Sequence, residues 1–311
     1  MQRIAQCLLA GCLAIAAPLC LAAGAPGTDN EGTPTFRSEV HEVRLAFAAS
    51  DRNGKSVHNL APEDVAVVDE ERIVRHFRSF STAAESPLKL IILLDASGSL
   101  EKGFAAEIAA VREFIAQTPW GGRDRVAILT FGGTSPELLC ARNCAAPDGQ
   151  RKMEQLRAGG LTPLYDALVT AVDIVRQQDD PEYRSALLVF SDGMDTISRY
   201  SLGDAATAAQ DLQLPVYSVN PCRRGCAGEE GGAVLQALAE RTGGLYLGSG
   251  KSPQEFLRAV IADLHSGYVV TYQLPPAPAA RHVVRVVATR QPGLQFRSRS
   301  TYRSRGEDGE E

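Results

Sequence analysis

Strand-only segments frame a stretch in which strands alternate with helices. That pattern predicts an α/β fold: a doubly wound, mostly parallel sheet flanked by a small β-sandwich formed from the N- and C-terminal segments. Three observations carry the prediction. The run Leu88–Asp95, LKLIILLD, is apolar except for Lys89 and its final carboxylate, as expected of a strand covered on both faces. Apolar residues then recur at helical spacing, as at Ile108, Val111, Phe114 and Ile115, and the two patterns alternate as far as His265. β-prone runs fill residues 36–82 and 268–302, each too short to bury a core alone.

The chain has 311 residues, enough for one large core or two smaller ones. Its formal net charge of −5 argues against a nucleic-acid partner, which would select a basic face.

Residues 1–24 have the form of an export signal: Arg3 near the start, an apolar run from Ile4 to Ala23, then small residues at Ala22, Ala23 and Gly24. Cleavage is expected near Gly24–Ala25. The run is also long enough to remain as an anchor, and Leu9-Ala10-Gly11-Cys12 has the look of a lipid acceptor. The chain is therefore expected to be exported, periplasmic or extracellular, with a membrane attachment only if this segment is retained or lipidated.

Four units follow. The N-terminal β segment covers 34–84, with Val40, Val43, Leu45 and Phe47 in a first strand and a turn signal at Asp51-Arg52-Asn53-Gly54. Val65–Val68 and Ile73–Phe80 add short strands around the charged turn Asp69-Glu70-Glu71.

The α/β domain covers 86–266. Its strands are Leu88–Asp95, Asp124–Phe131, an edge strand at Leu138–Leu139, Ala186–Asp192, Pro215–Asn220 and Leu245–Leu247. Its helices are Phe104–Gln117, Met153–Arg157, Pro163–Gln177, Asp204–Leu212, Val234–Thr242 and Pro253–His265, with Pro163 suiting a first helical position. The C-terminal β segment, 267–303, offers Tyr268–Leu274, His282–Ala288 and a last strand over Phe296–Tyr302. Residues 304–311 form an acidic tail.

Three of the seven cysteines fall in the signal, leaving Cys140/Cys144 and Cys222/Cys226. In an exported chain each pair is read as a local disulfide; a shared four-thiolate zinc site is the alternative. Placed on the sheet, the first pair belongs at the lower rim and the second at the upper, too far apart to share an ion. Arg223 and Arg224 would then stand near the upper rim, where they could draw in an acidic partner.

In an open parallel sheet, ligands collect beyond the carboxyl ends of the strands. Asp95 ends the first strand of the α/β domain, with Ser97 and Ser99 just behind it. Thr162 follows Gly159-Gly160-Leu161 and opens a helix, and Asp192 ends a later strand in Ser191-Asp192-Gly193. An antiparallel edge strand would send the Met153–Arg157 helix back up and bring Thr162 to the same rim. Two carboxylates and three hydroxyls, with neither cysteine nor histidine, suit a hard oxygen-seeking cation. Mg2+ is the first expectation, with Mn2+ or Ca2+ also possible. If the hydroxyls ligate directly and the aspartates act through water, the ion stays electrophilic and attracts a carboxylate from a partner.

Asp95-Ala96-Ser97-Gly98-Ser99, Thr162 in Gly-Gly-Leu-Thr-Pro-Leu and Asp192 in Ser-Asp-Gly resemble the metal-ion-dependent adhesion site (MIDAS) of von Willebrand factor type A (VWA) domains. The resemblance covers about residues 86–266. The flanking segments are similar to those of exported bacterial VWA-related proteins. Leu100 stands where that motif commonly carries methionine. The resemblance implies a Rossmann-like fold and a non-enzymatic binding or adhesion protein, gripping a protein partner's acidic residue through the metal. A scaffold or assembly factor with a structural metal is the alternative. A serine hydrolase through Ser97 or Ser99 would need His265 within reach. Asp195 is read as an exposed loop carboxylate.

Overall fold

The computed structural model describes residues 41–118, 120–178, 180, 182–221, 229–248, 253–275 and 280–304, all within one compact unit, Glu39–Glu311. The expected export signal, the Cys222/Cys226 pair with Arg223 and Arg224, and the acidic tail past Ser304 lie outside the described residues.

The N-terminal segment forms β1 (His41–Ser50), β2 (Val65–Asp69), β3 (Arg72–Val74) and β4 (Ser79–Thr82). The Asp51 carboxylate accepts from the N–H groups of Asn53 and Lys55, and Gly54 takes φ +76°, which fixes the turn after β1.

The α/β region then runs β5 (Leu88–Asp95), α1 (Glu101–Gln117), β6 (Arg125–Phe131), β7 (Pro136–Cys140), α2 (Pro147–Gln155), α3 (Leu164–Gln178) and β8 (Arg184–Phe190). It continues through α4 (Leu202–Asp211), β9 (Val216–Val219), α5 (Glu229–Thr242), β10 (Tyr246–Leu247) and α6 (Pro253–Ser266). The C-terminal segment supplies β11 (Tyr268–Leu274), β12 (Arg281–Ala288), β13 (Gln295–Ser298) and β14 (Thr301–Arg303). Among the described residues no helix is long and apolar enough to cross a membrane.

The six-stranded sheet has the order β10-β9-β8-β5-β6-β7, with only β7 antiparallel. β5 lies inside it and is buried along its whole length. Successive side chains of a strand point to opposite faces, so Leu88, Leu90, Ile92 and Leu94 pack with α1 and α6. Ile91 and Leu93 pack with α3, α4 and α5. Each fully buried Leu or Ile contributes roughly 1.5–3 kcal/mol, so this strand anchors both cores.

N- and C-terminal segments interleave in two antiparallel four-stranded sheets, β13-β1-β11-β4 and β14-β12-β2-β3. Leu45, Phe47, Val67, Tyr268, Val270 and Val284 are part of the core between them. Asp69 is buried there and accepts hydrogen bonds from the hydroxyls of Tyr272 and Tyr302, both at 2.6 Å; His282 Nδ1 lies 2.9 Å away. His282 Nε2 is 3.2 Å from the Ser304 hydroxyl, which also bonds the N–H and carbonyl of Ala280. The order serine–histidine–aspartate is that of a hydrolase. Here the serine is buried and bonded to backbone, and the row ties the end of β14 to the approach of β12.

Three expectations about elements are corrected. The strand expected over Phe296–Tyr302 is two strands in different sheets: β13 pairs with β1, β14 with β12, and the chain crosses between sheets at Arg299–Ser300. The crossing is held by Arg299, which is buried and donates to the carbonyls of Gln210 and Arg44. Helix α2 begins at Pro147 rather than Met153, because proline lacks the N–H that a first helical position leaves free. Helix α5 begins five residues early and includes Gly231 and Gly232, poor helix formers that packing overrides.

Cys140 and Cys144 form a disulfide. Asn143 bridges to Val126 near the start of β6, so the closed loop stands toward the lower edge of the sheet, as expected.

Candidate metal centre

The upper edge of the sheet, where β5 and β8 end, gathers the five singled-out residues into interlocked loops. Residues 159–162 are the keystone. Gly159 N–H donates to the Ala96 carbonyl at 2.7 Å, and Gly98 N–H to the Gly160 carbonyl at 3.3 Å. Gly133 N–H donates to the Leu161 carbonyl at 2.8 Å, and Thr196 N–H to the Thr162 carbonyl at 2.9 Å. These bonds join the Thr162 segment to the loops after β5, β6 and β8. Thr162 N–H also donates to the Thr196 hydroxyl at 2.7 Å.

Asp95, Ser97, Thr162 and Asp192 are buried, whereas Ser99 is exposed at the rim. Asp95 is held at both oxygens: Oδ1 accepts from Ser97 N–H at 2.9 Å, and Oδ2 from the Ser191 hydroxyl at 2.5 Å. Burial pushes its carboxyl up to about 6, against the hydrogen bonds from Ser191 and Ser97. The Ser97 and Ser99 hydroxyl oxygens lie 3.1 Å apart. Asp192 Oδ1 accepts from Met194 N–H at 3.0 Å, but its Oδ2 is buried with no hydrogen-bond partner among the described residues.

Backbone packing also holds Asp192 in place. Gly193 has φ +84°, and a Cβ there would lie 2.1 Å from the Gly231 carbonyl oxygen. A Cβ on Gly231 would lie 2.1 Å from the Asp192 carbonyl oxygen. The loop after β8 and the first turn of α5 thus touch backbone to backbone, which accounts for the glycines inside that helix.

Sequence reading missed three participants. Ser191 stands in the sequence as the neighbour of Asp192, yet its hydroxyl is what steadies Asp95. Thr196 secures Thr162. Glu107, on α1, is buried and its Oε1 has no partner among the described residues. Burial, with the charges of Asp95 and Asp192 close by, pushes its carboxyl well above the usual range. A signal for it existed: Glu107 sits three residues after Phe104 and four before Val111, on the helix's apolar stripe.

Neighbouring groups are engaged in bonds of their own. His265 Nδ1 lies 2.8 Å from the Ile261 carbonyl of its own helix, while Ser97 faces Ser99. Asp195, expected as an exposed loop carboxylate, is instead half-buried and tied down, accepting from the Ser198 hydroxyl at 2.5 Å and from the N–H groups of Ser198 and Tyr165. Asp166 is a second fixed carboxylate, accepting from the N–H groups of Arg199 and Tyr200.

The donor set fits an oxygen-seeking cation. Its groups are carboxylate and hydroxyl oxygens, one buried carboxylate oxygen lacks a partner, and two hydroxyls already stand side by side. No group of three His, Cys, Asp or Glu among the described residues could hold a metal, so hydroxyls are essential to such a site.

The family model described as von Willebrand factor type A domain matches residues 90–194. An uncharacterized protein of Mycobacterium tuberculosis is 29% identical over 126 residues, 40% of this chain and 20% of that protein. The magnesium-chelatase 60 kDa subunit of Rhodobacter capsulatus is 27% identical over 109 residues, 35% of this chain and 19% of the subunit. The matches thus span about a fifth of these curated relatives' length. Among solved structures, the manganese-loaded TRAP protein of Plasmodium vivax superposes with a TM-score of 0.45 at 13% identity, over 76% of this chain and 97% of that one.

Proposed function

Because residues 90–194 are a von Willebrand factor type A domain, we propose that this chain is an exported, non-enzymatic binding protein that captures an acidic side chain of a protein partner at a metal centre. Ser97, Ser99 and Thr162 would hold the ion directly, with Asp95 and Asp192 acting largely through water. Mg2+ is the expected ion, Mn2+ or Ca2+ the substitutes, and when bound it supplies an electrophilic position for a carboxylate oxygen.

The observation that carries the reading is the buried, unpartnered Oδ2 of Asp192 beside three converging loops that already fix every other carboxylate oxygen of the motif. A buried carboxylate oxygen without a donor is costly and finds a partner, here through a cation. The protein's own groups do the positioning. Ser191 and the Ser97 N–H hold Asp95 still, and the Gly193–Gly231 contact holds Asp192. The surroundings suit a protein ligand: Leu161, Met194, Ile197 and Tyr200 are exposed apolar side chains on the loops bearing Thr162 and Asp192. Such groups around a polar centre exclude water from a contact.

The test is capture of envelope proteins on the immobilised chain with Mg2+ and with EDTA, beside Asp95→Ala and Ser97→Ala. Capture that depends on the divalent ion and vanishes in both variants supports the reading; capture undiminished in EDTA sinks it. The similarity to magnesium-chelatase subunits favours a second reading, a scaffold or assembly factor within a larger complex whose metal is structural. Under it, metal-independent capture would persist and would weaken when the sandwich surface is altered.

A further inference from the structure

At the other end of the sheet lies a cavity of about 450 Å3, bounded by the lower ends of β5 and β8, the α4–β9 connection and the outward face of β1. Its walls are cationic. Lys89, Arg184 and Arg299 all line it. Lys89 is only 3% exposed and has neither hydrogen bond nor ion pair among the described residues; its ammonium stands 5.2 Å from the centre of the Tyr183 ring. Arg184 donates to the carbonyls of Ser86 and Leu264. Arg299 is 5% exposed and meets two carbonyls and the Tyr302 ring, and its Nε has no partner. No carboxylate lies within ion-pair distance of any of the three, among the described residues.

The acids lining the cavity are already engaged. Asp263 takes Arg297 and the Tyr217 hydroxyl, and Asp180 takes Arg125 at 2.9 Å. A charge removed from water is stable only when it is paired and hydrogen-bonded. Two buried cations, Lys89 and Arg299, and the half-buried Arg184 around one space, with the neighbouring acids already paired, leave room and charge for an anion. The volume falls within the range of roughly 300–1,000 Å3 for small-molecule pockets.

We infer that this cavity is a binding site for a small multivalent oxyanion, phosphate- or carboxylate-bearing, held by Lys89, Arg184 and Arg299 at the seam between the α/β layer and the sandwich. It shares no residue with the metal centre and does not depend on it. Burial lowers the pKa of Lys89, and a bound anion reverses that tendency.

Titration calorimetry of the full chain in EDTA, at ionic strength fixed with sodium chloride, tests it with sodium phosphate and sodium succinate in separate arms. A saturable isotherm is expected for one or both, and the tighter probe identifies the source of the oxyanion. Lys89→Met should weaken that binding at least tenfold. Ala46→Trp, which leaves every cation in place and fills the space beside β1, should do the same; it carries the decision if Lys89→Met does not fold. Asp95→Ala should bind the anion as the parent does. Heats no larger than those of added chloride, or binding unchanged in Ala46→Trp, overturn the proposal.

Discussion

Asp95 and Lys89 sit six positions apart on β5, on the same face of the strand, at opposite edges of the sheet. At about 3.3 Å per residue they are separated by roughly 20 Å. Both are buried charges, but the fold treats them differently. Both oxygens of Asp95 are held by hydrogen bonds, from a neighbouring N–H and from Ser191. Lys89 meets only the face of an aromatic ring. A buried charge tied by its own protein is part of a prepared frame, and the unpartnered atom lies beside it, at Asp192 Oδ2. A buried charge left untied is itself the group that lacks a partner. On the two proposals made above, the upper edge takes a cation and the lower edge an anion.

The harshest way to break the upper frame is Gly193→Ala. Its Cβ would collide with the Gly231 carbonyl at a backbone φ of +84°, so a loss of about 3 kcal/mol or more is expected in urea unfolding, together with loss of metal binding. Asp95→Ala should leave a folded chain that divalent ions no longer protect. If Mg2+ at a hundred times its dissociation constant stabilises the parent by about 2.7 kcal/mol, thermal melts of the variant with Mg2+ and with EDTA should coincide.

Glu107→Gln sharpens the comparison. The folded state keeps Glu107 protonated above pH 4.5, where the unfolded chain begins to ionise it, so metal-free stability falls as pH rises from there toward the raised folded pKa. Denaturation at pH 5 and pH 8 should show a smaller difference in the variant, because a glutamine has no proton to lose. The smallest effect on stability is expected at the lower edge. Lys89→Met replaces an untied buried charge with an apolar side chain of similar length, so urea midpoints should stay level or rise slightly, with metal binding intact.

Much of this was legible because local signals agreed with tertiary demands. LKLIILLD is apolar enough to read as a covered strand, and its closing Asp95 could be joined to Thr162 and Asp192 through the expected direction of each strand. Where local and tertiary signals parted, the sequence was silent. Phe296–Tyr302 keeps strand character across Arg299–Ser300, because changing sheets requires a partner for each half rather than a break in composition. Gly231 and Gly232 argue locally against helix, and only the approach of Gly193 explains them. Lys89 read as an interruption in an apolar run, and its lack of an acidic neighbour is a fact of three dimensions. Ser191 likewise gave no hint of its role, since its bond to Asp95 spans 96 positions.

The interleaved sandwich also bears on how the molecule is made. β1 pairs with β11 and β13, whose residues begin at Tyr268 and Gln295, so the first described strand has no sheet to join until most of the chain exists. At about 5–20 residues per second, a ribosome needs at least ten seconds or so to supply those partners. Until then Leu45 and Phe47 have no core to enter, and the α/β region is an excursion between two halves of an unclosed seam. The sandwich can therefore form only late, once nearly the whole chain has been synthesised, and a chain stopped before Tyr268 should be an aggregating fragment rather than a smaller protein.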